Sequence, residues 1–500
     1  MEGPRTSERR TRAAAGARAT AACATAPLAV ALLAVALLGL APLPAGAQQR
    51  SDSAAAPVQD TPLQARYRAV ADRLIDSALA DSSAWLKMAR LVDTFGPRLA
   101  GSEALERAHD WILEEMRRDG LENVHPEPAM VPHWVRGNES AELVEPRRAP
   151  LPMLGLGGSI GTPRRGITAE VLVVGDFDEL ARRAAEARGK IVLFDVPWRG
   201  YGRTVQYRVN GAIAAARAGA VAALLRSVGE LPLRIVHTGV MRYDSTATRI
   251  PIAAVTAEDA AMLHRMQERG ERVVVTLRME ARTLPDSPSR NVMGEVTGSE
   301  RPEEVVVIGG HTDSWDVGLG AMDDAGGVVM AWEAVRLMQR LGLRPRRTVR
   351  AVGWVNEENG TRGGLAYRDA HRDHLREHVL AFESDGGVFR PTGVGFSGTD
   401  SAMAIVRQVA GLLRRIGADE VTRGGGGVDI GPITQLGVPS MSLNSEGIRY
   451  FWYHHSPADT PDKIDPREMA ECVAVMAVMA YVLADMPERL PWGIPSEGER

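Results

Sequence analysis

The apolar positions of this chain change their period twice. Between residues 63 and 119 the segments RYRAVADRLIDSAL, SAWLKMARLVDTF and ALERAHDWILEEMRRDG are apolar along one helical face, which predicts that helices open the fold. From about 123 to 287 the texture turns to short β-branched stretches (AEVLVVG, GKIVLFDV, AVAALLRS, RVVVTLRM) separated by Gly, Pro and Arg, with one small-residue helix, NGAIAAARAGA, among them. This predicts a smaller, strand-rich domain. After Asn291 the pattern alternates regularly: strand EVVVIGG, helix GVVMAWEAVRLMQRLG, strand TVRAVGWV, helix GGLAYRDAHRDHL, strand VLAFES, helix AMAIVRQVAGLLRRIG, strand PSMSLN and a terminal helix REMAECVAVMAVMAYVLADM. Continuous apolar strands alternating with amphipathic helices predict an α/β fold, a mostly parallel sheet flanked by helices on both faces. Ligands of such sheets gather at the carboxyl ends of the strands.

Composition adds limits rather than direction. A chain of 500 residues exceeds what one core usually serves, and 45% apolar residues, 24% charged residues and a net charge of −4 describe an ordinary soluble enzyme, with nothing that points to nucleic acid. The first residues carry arginines at 5, 9, 10, 12 and 18, then the apolar run PLAVALLAVALLGLAPL, then Ala45-Gly46-Ala47 before QQRSDS. An apolar core of about 15 residues followed by an A-x-A site predicts a cleaved signal peptide over 1–47, and hence an exported protein, periplasmic or secreted, with no stable membrane anchor after cleavage. Residues 48–61 read as a linker. Cys23 falls in the signal and Cys472 stands alone in the remainder. An internal disulfide and a thiolate zinc site are therefore excluded, and any metal must be held by His, Asp and Glu.

Polar clusters sit where the strands end. EVVVIGG runs into His311-Thr312-Asp313, TVRAVGWV into Asn356-Glu357-Glu358, and VLAFES into Asp385. Taken singly, His311 and Asp313 would face one side of an extended segment and bond each other, and Asp323 or Asp324 would cap the next helix. Together they form a buried carboxylate group with no lysine nearby, since the chain has only Lys87, Lys190 and Lys463. Such a group repels itself unless cations are present. Two divalent ions against three carboxylates and two neutral histidines leave a small positive excess, enough to draw the pKa of a bridging water towards neutrality.

At these residues the chain resembles the cocatalytic-zinc exopeptidases, the family of bacterial leucyl aminopeptidases and glutamate carboxypeptidase. The carrying segments are GPRLAGSEALERA, EPAMVPHWVRGNESAELVEPR, GLGGSIGTPRRGITAEVLVV, GGHTDSWDVGLGAMDDAGG, NEENG, ESDGG and YFWYHHSPADT. HTDSWDVGLGAMDD with YFWYHHS is particular to the carboxypeptidase Q branch. The resemblance implies a zinc-exopeptidase domain over 62–122 and 288–490, and makes 123–287 an inserted protease-associated-like domain that covers the active site. It implies two zinc ions: Asp323 bridges them, His311 and Asp385 hold one, and Glu358 and His455 hold the other. Glu357 would be the general base and acid for a metal-bridging hydroxide, and Asp313 would orient His311 through its second ring nitrogen. Asp323 is preferred over Asp324 for lying twelve residues after His311, with a cis peptide expected after it; His455 is preferred over His454 for lying four residues before Asp459. The implied substrates are dipeptides or short peptides with free termini, and the implied assembly is a homodimer. Alternatives are amide deacylation or single-zinc cyclisation of N-terminal glutamine on the same scaffold. A receptor-like member without catalysis would lack ligands, and all five are present.

Two further features are expected to stay outside the chemistry. His374-Leu375-Arg376-Glu377-His378 spells HxxEH, but it stands at a helix end directly before a strand, where its histidines cannot share a mid-helix face. Trp315 and the aromatics of YFWY lie beside the site, where they would line a substrate pocket or pack the core, and are given no catalytic role.

Overall fold

Val305 to Ile308 are all buried, so the strand Arg301–His311 needs a covered face on either side. Val306 and Ile308 enter a large core with the helices Gly326–Arg340 and Pro466–Asp485, whereas Val305 and Val307 enter a smaller one with Trp354, Tyr367 and Ile430. That division follows the two-residue repeat of a strand. The structure is a computed structural model and describes residues 59–493. The predicted signal peptide and residues 48–58 of the linker lie outside the described residues.

Eight strands form this first sheet, in the order Glu122–Val135, Arg282–Val296, Arg347–Trp354, Arg301–His311, His378–Glu383, Ser440–Ser445, Pro391–Ser397, Glu420–Arg423. Arg301–His311 pairs in parallel with Arg347–Trp354 and with His378–Glu383, which pairs in parallel with Ser440–Ser445. Antiparallel strands flank this parallel centre, so the sheet is mixed. Among the helices that open the chain, Pro62–Leu79 begins with a capping box between Thr61 and Gln64, and Glu103–Arg118 begins with Ser102 accepting from Leu105 N–H. The terminal helix Pro466–Asp485 is buried from Cys472 to Ala484. Among the described residues no helix is long and apolar enough to cross a membrane.

A second eight-stranded sheet is built from strands between Glu139 and Met279, with Ile167–Val174, Ile191–Phe194, Ala222–Arg226 and Ile252–Val255 parallel at its centre. Helix Tyr201–Arg217 lies on one face and Ala257–Glu268 on the other, so this part is layered α/β rather than strand-rich alone. Residues 123–135 and 282–287, grouped with the insert by their texture, belong to a long antiparallel ribbon of the first sheet, in which Glu122–Val135 pairs with Arg282–Val296. Alternation along a strand reports its two faces and carries no information on which sheet it joins.

Candidate metal centre

The parallel strands of the first sheet deliver their following residues to one edge. His311 ends its strand; Glu357 and Glu358 follow Trp354, and Asp385 follows Glu383. Asp323 and Asp324 lie in the turn Ala321–Ala325 before helix Gly326–Arg340, and the peptide bond between them is cis. His454 and His455 follow the short helix Tyr450–Tyr453.

The five residues named as ligands come together around Asp323. Nε2 of His311 lies 3.2 Å from Asp323 Oδ1 and 3.3 Å from Asp385 Oδ1. Nε2 of His455 lies 3.4 Å from Asp323 Oδ2 and 2.9 Å from Glu358 Oε2. Asp323 thus turns one carboxylate oxygen to each of two groups, His311 with Asp385 and His455 with Glu358. Asp323 Oδ2, Glu358 Oε2 and Asp385 Oδ1 are buried without a hydrogen-bond partner, an arrangement that is costly for carboxylates unless a cation satisfies them.

The neighbours of these candidate ligands differ in what they touch. Asp324 accepts from the N–H groups of His311 (3.0 Å) and Gly327 (2.9 Å), so its carboxylate ties the strand end to the helix start. A Cβ on Gly310 or Gly327 would collide with that carboxylate, which explains both glycines. His454 stacks on His455 with ring centroids 3.5 Å apart, and its Nε2 is 4.0 Å from Asp323 Oδ2. That makes Asp323, His454 and His455 a second possible trio. The shorter approach to Asp323 Oδ2 and the contact with Glu358 favour His455, whose Nε2 meets both carboxylates.

Asp313 reaches Nδ1 of His311, but through its main-chain carbonyl, which accepts at 2.9 Å; its carboxylate Oδ1 is 3.8 Å away. The carboxylate instead accepts from the N–H groups of Asn356 (2.7 Å), Glu357 (3.1 Å) and Glu358 (3.4 Å). Asn356 adopts a left-handed backbone at φ 70°, and this threefold grip holds that turn. Asp313 therefore positions both a histidine and the glutamate pair.

Three further groups were missed in the sequence. Asp459 served only as a landmark there, yet its carboxylate accepts from the N–H groups of Ala321, Met322 and Asp323 and so holds the turn that presents Asp323. Arg98, fully buried, donates to the carbonyls of Gly96, Thr312, Leu319 and Gly320 and brings a positive charge beneath the acidic cluster. The motif GPRLAG flagged this region without revealing that partner set. The second sheet's region reaches in as well. Arg208 Nη1 is 3.2 Å from His455 Nδ1, His237 Nδ1 donates to the carbonyl of His454 (2.6 Å), and Thr238 N–H donates to that of His455 (2.8 Å). His455 has φ 57°, so these contacts secure a backbone that a non-glycine residue seldom adopts.

Burial raises the carboxyl pKa of Glu357 and Glu358 well above the usual range, with negative neighbours adding to it, Asp385 for Glu357 and Asp323 for Glu358. Asp323 moves the other way: burial opposes ionisation, but the hydrogen bond with His311 and the nearby His455 hold its pKa below the ordinary value. Burial pushes His455 down to about 3, which leaves a neutral ring with a lone pair to give.

A cavity of about 740 Å³ opens over Asp323, Glu357, Glu358, Asp385 and His455. Tyr450 and Phe451 line it, whereas Trp315 is buried and donates its main-chain N–H to Glu358. The HxxEH segment lies elsewhere. His374 is exposed against Glu377, and His378 is buried against the hydroxyl of Tyr367, so its two histidines do not converge.

The model of peptidase family M28 matches residues 291–480. Carboxypeptidase Q of Mus musculus is 48% identical over 430 residues, covering 85% of this chain and 92% of that protein. The enzyme of the same name from Homo sapiens is 48% identical over 425 residues, with 84% and 90% covered. A peptidase M28 precursor from Shewanella amazonensis superposes with a TM-score of 0.84 at 36% identity, covering 87% of this chain and all of that one (100%). A zinc aminopeptidase from Bacillus subtilis shares the fold at a TM-score of 0.62 and 20% identity, with 81% and 95% covered.

Proposed function

Because the chain belongs to peptidase family M28 and is a metallopeptidase similar to carboxypeptidase Q, we propose that it is an exported, homodimeric exopeptidase that uses two zinc ions to hydrolyse dipeptides or short peptides with free termini. The observation that carries this reading is Asp323, whose two oxygens each face a separate histidine, His311 beside Asp385 and His455 beside Glu358. The donor set is nitrogen and oxygen only, and its three unpartnered carboxylate oxygens fit divalent cations. His311, Asp323 and Asp385 would hold one ion, and Asp323, Glu358 and His455 the other. When bound, two such ions polarise the scissile carbonyl and lower the pKa of the attacking water.

The chain's own residues supply the rest. Glu357 lines the cavity beside the ligand groups, takes a proton from the attacking water and returns it to the leaving amine. Asp313 sets its position by holding the main chain of residues 356–358. A neutral His455 ring that gives its Nε2 lone pair to a cation carries its proton on Nδ1, so Arg208 then rests on its other partners, the Tyr201 hydroxyl and the Thr238 carbonyl. The second sheet's region acts as the protease-associated-like insert: it forms a cavity wall and braces the His454–His455 turn.

Two measurements test this. Metal analysis after gel filtration is expected to give two zinc ions per chain in the parent and in His454→Ala, and about one in His455→Ala; loss in the His454 variant alone would reverse the choice between them. Assays with free dipeptides, terminally blocked dipeptides and aminoacyl anilides are expected to show cleavage of the free dipeptides only. Cleavage of the anilides would move the activity to a general aminopeptidase, and no cleavage with two ions bound would favour another amide-directed reaction.

A further inference from the structure

The cavity over the candidate metal centre has two cationic side chains in its wall, Arg208 and Arg242, both contributed by the second sheet's region. They are placed differently. Arg208 is buried, and its guanidinium is engaged with the Tyr201 hydroxyl, the Thr238 carbonyl and His455. Arg242 is exposed, and its guanidinium has no hydrogen bond or ion pair among the described residues. Its main chain is fixed, with Arg242 N–H donating to the carbonyl of Val209 in the helix that carries Arg208. The same cavity is lined by Asp323, Glu357, Glu358 and Asp385. A cavity lined both by acids and by an arginine that pairs with none of them suits a ligand bearing both charges. A volume of about 740 Å³ suits a short peptide.

We propose that Arg242 receives the free α-carboxylate of the substrate, so that the cavity selects peptides whose C-terminus lies within it. The planar guanidinium offers paired N–H donors that match a carboxylate and do not match a terminal amide. The second sheet's region would then set which end of the peptide is read, in addition to bracing His455. This proposal rests on the peptidase reading above and names the residue that reads the free C-terminus.

The test uses the zinc-loaded, full-length mature protein and a hydroxyethylene dipeptide isostere, which cannot be hydrolysed, alongside its C-terminal carboxamide. Calorimetry is expected to show that the parent binds the acid about 30-fold more tightly than the carboxamide, the range of a charge-assisted hydrogen-bond pair. Arg242→Ala should remove that preference while leaving carboxamide affinity, zinc content and thermal stability unchanged, and Arg242→Lys should restore part of it. With cleavable dipeptides, Arg242→Ala should raise KM and leave kcat within a few-fold. An acid preference that survives Arg242→Ala overturns the assignment of Arg242. A parent that shows the preference in binding yet cleaves no free dipeptide overturns the peptidase reading and keeps the carboxylate site.

Discussion

Glu357→Gln is expected to lower kcat by about a thousandfold, the middle of the range for removing a general base, while two zinc ions remain bound. Glutamine keeps the shape of the side chain and the main-chain bonds to Asp313, so the turn at residues 356–358 should persist. Glu357 stands outside both trios that could hold a cation, which is why its loss should spare metal content. Its carboxyl pKa is raised by burial and by the charge of Asp385, and bound cations would draw it down again. Because a base must be deprotonated to act, kcat/KM of the parent should fall as pH drops through that pKa. The acid limb should be absent from the residual activity of the variant. Zinc analysis together with the pH profile reads both effects, and a variant that loses zinc along with activity would make Glu357 a ligand instead.

The parts of this molecule governed by local periodicity were legible before its structure. VVVIGG, TVRAVGWV and VLAFES are strands because each is a short apolar run bounded by turns, and the chemistry lies at their carboxyl ends because parallel sheets leave main-chain groups and loops there. What stayed hidden depends on partners distant in the chain or on which atom of a residue acts. Asp313 was expected to orient His311 through its second ring nitrogen, but two-residue spacing does not say which oxygen does so, and the main-chain carbonyl makes the bond. Arg98 is satisfied by four carbonyls, a partner set that no residue type announces. Arg208 and His237 meet the His454–His455 turn from more than two hundred residues away, so the insert expected to cover the active site also supports that turn, which its own sequence did not announce.

Chelation of the protein is expected to abolish activity and also to make stability depend on pH in one particular direction. Burial raises the carboxyl pKa of Asp324, Glu357, Glu358, Asp385 and Asp429, and brings those of Glu383 and Asp459 to about 7. Each such group holds its proton longer when folded than when unfolded. Its contribution is fully present below the unfolded carboxyl pKa, about 4, and is lost as pH rises through the folded value. Buried histidines act in the opposite sense. Burial takes His455 to about 3 and His237 and His378 to about 4, so their contribution is present above the unfolded histidine pKa and is lost as pH falls. The two sets oppose each other below about pH 6.5. Above it those histidines are neutral in both states and the carboxylates act, joined by His125, raised by Glu127, and by His311, whose pKa burial would lower but the nearby carboxylates of Asp323 and Asp385 raise. The metal-free protein should therefore lose Tm, on the order of 5 °C, between pH 6.5 and 8. Zinc should restore activity, raise Tm by mass action and flatten its dependence on pH, since bound cations replace the protons. A metal-free Tm that stays flat above pH 6.5 would show that the self-repulsion of these carboxylates is relieved by the chain alone, with Arg98 as its buried counter-charge.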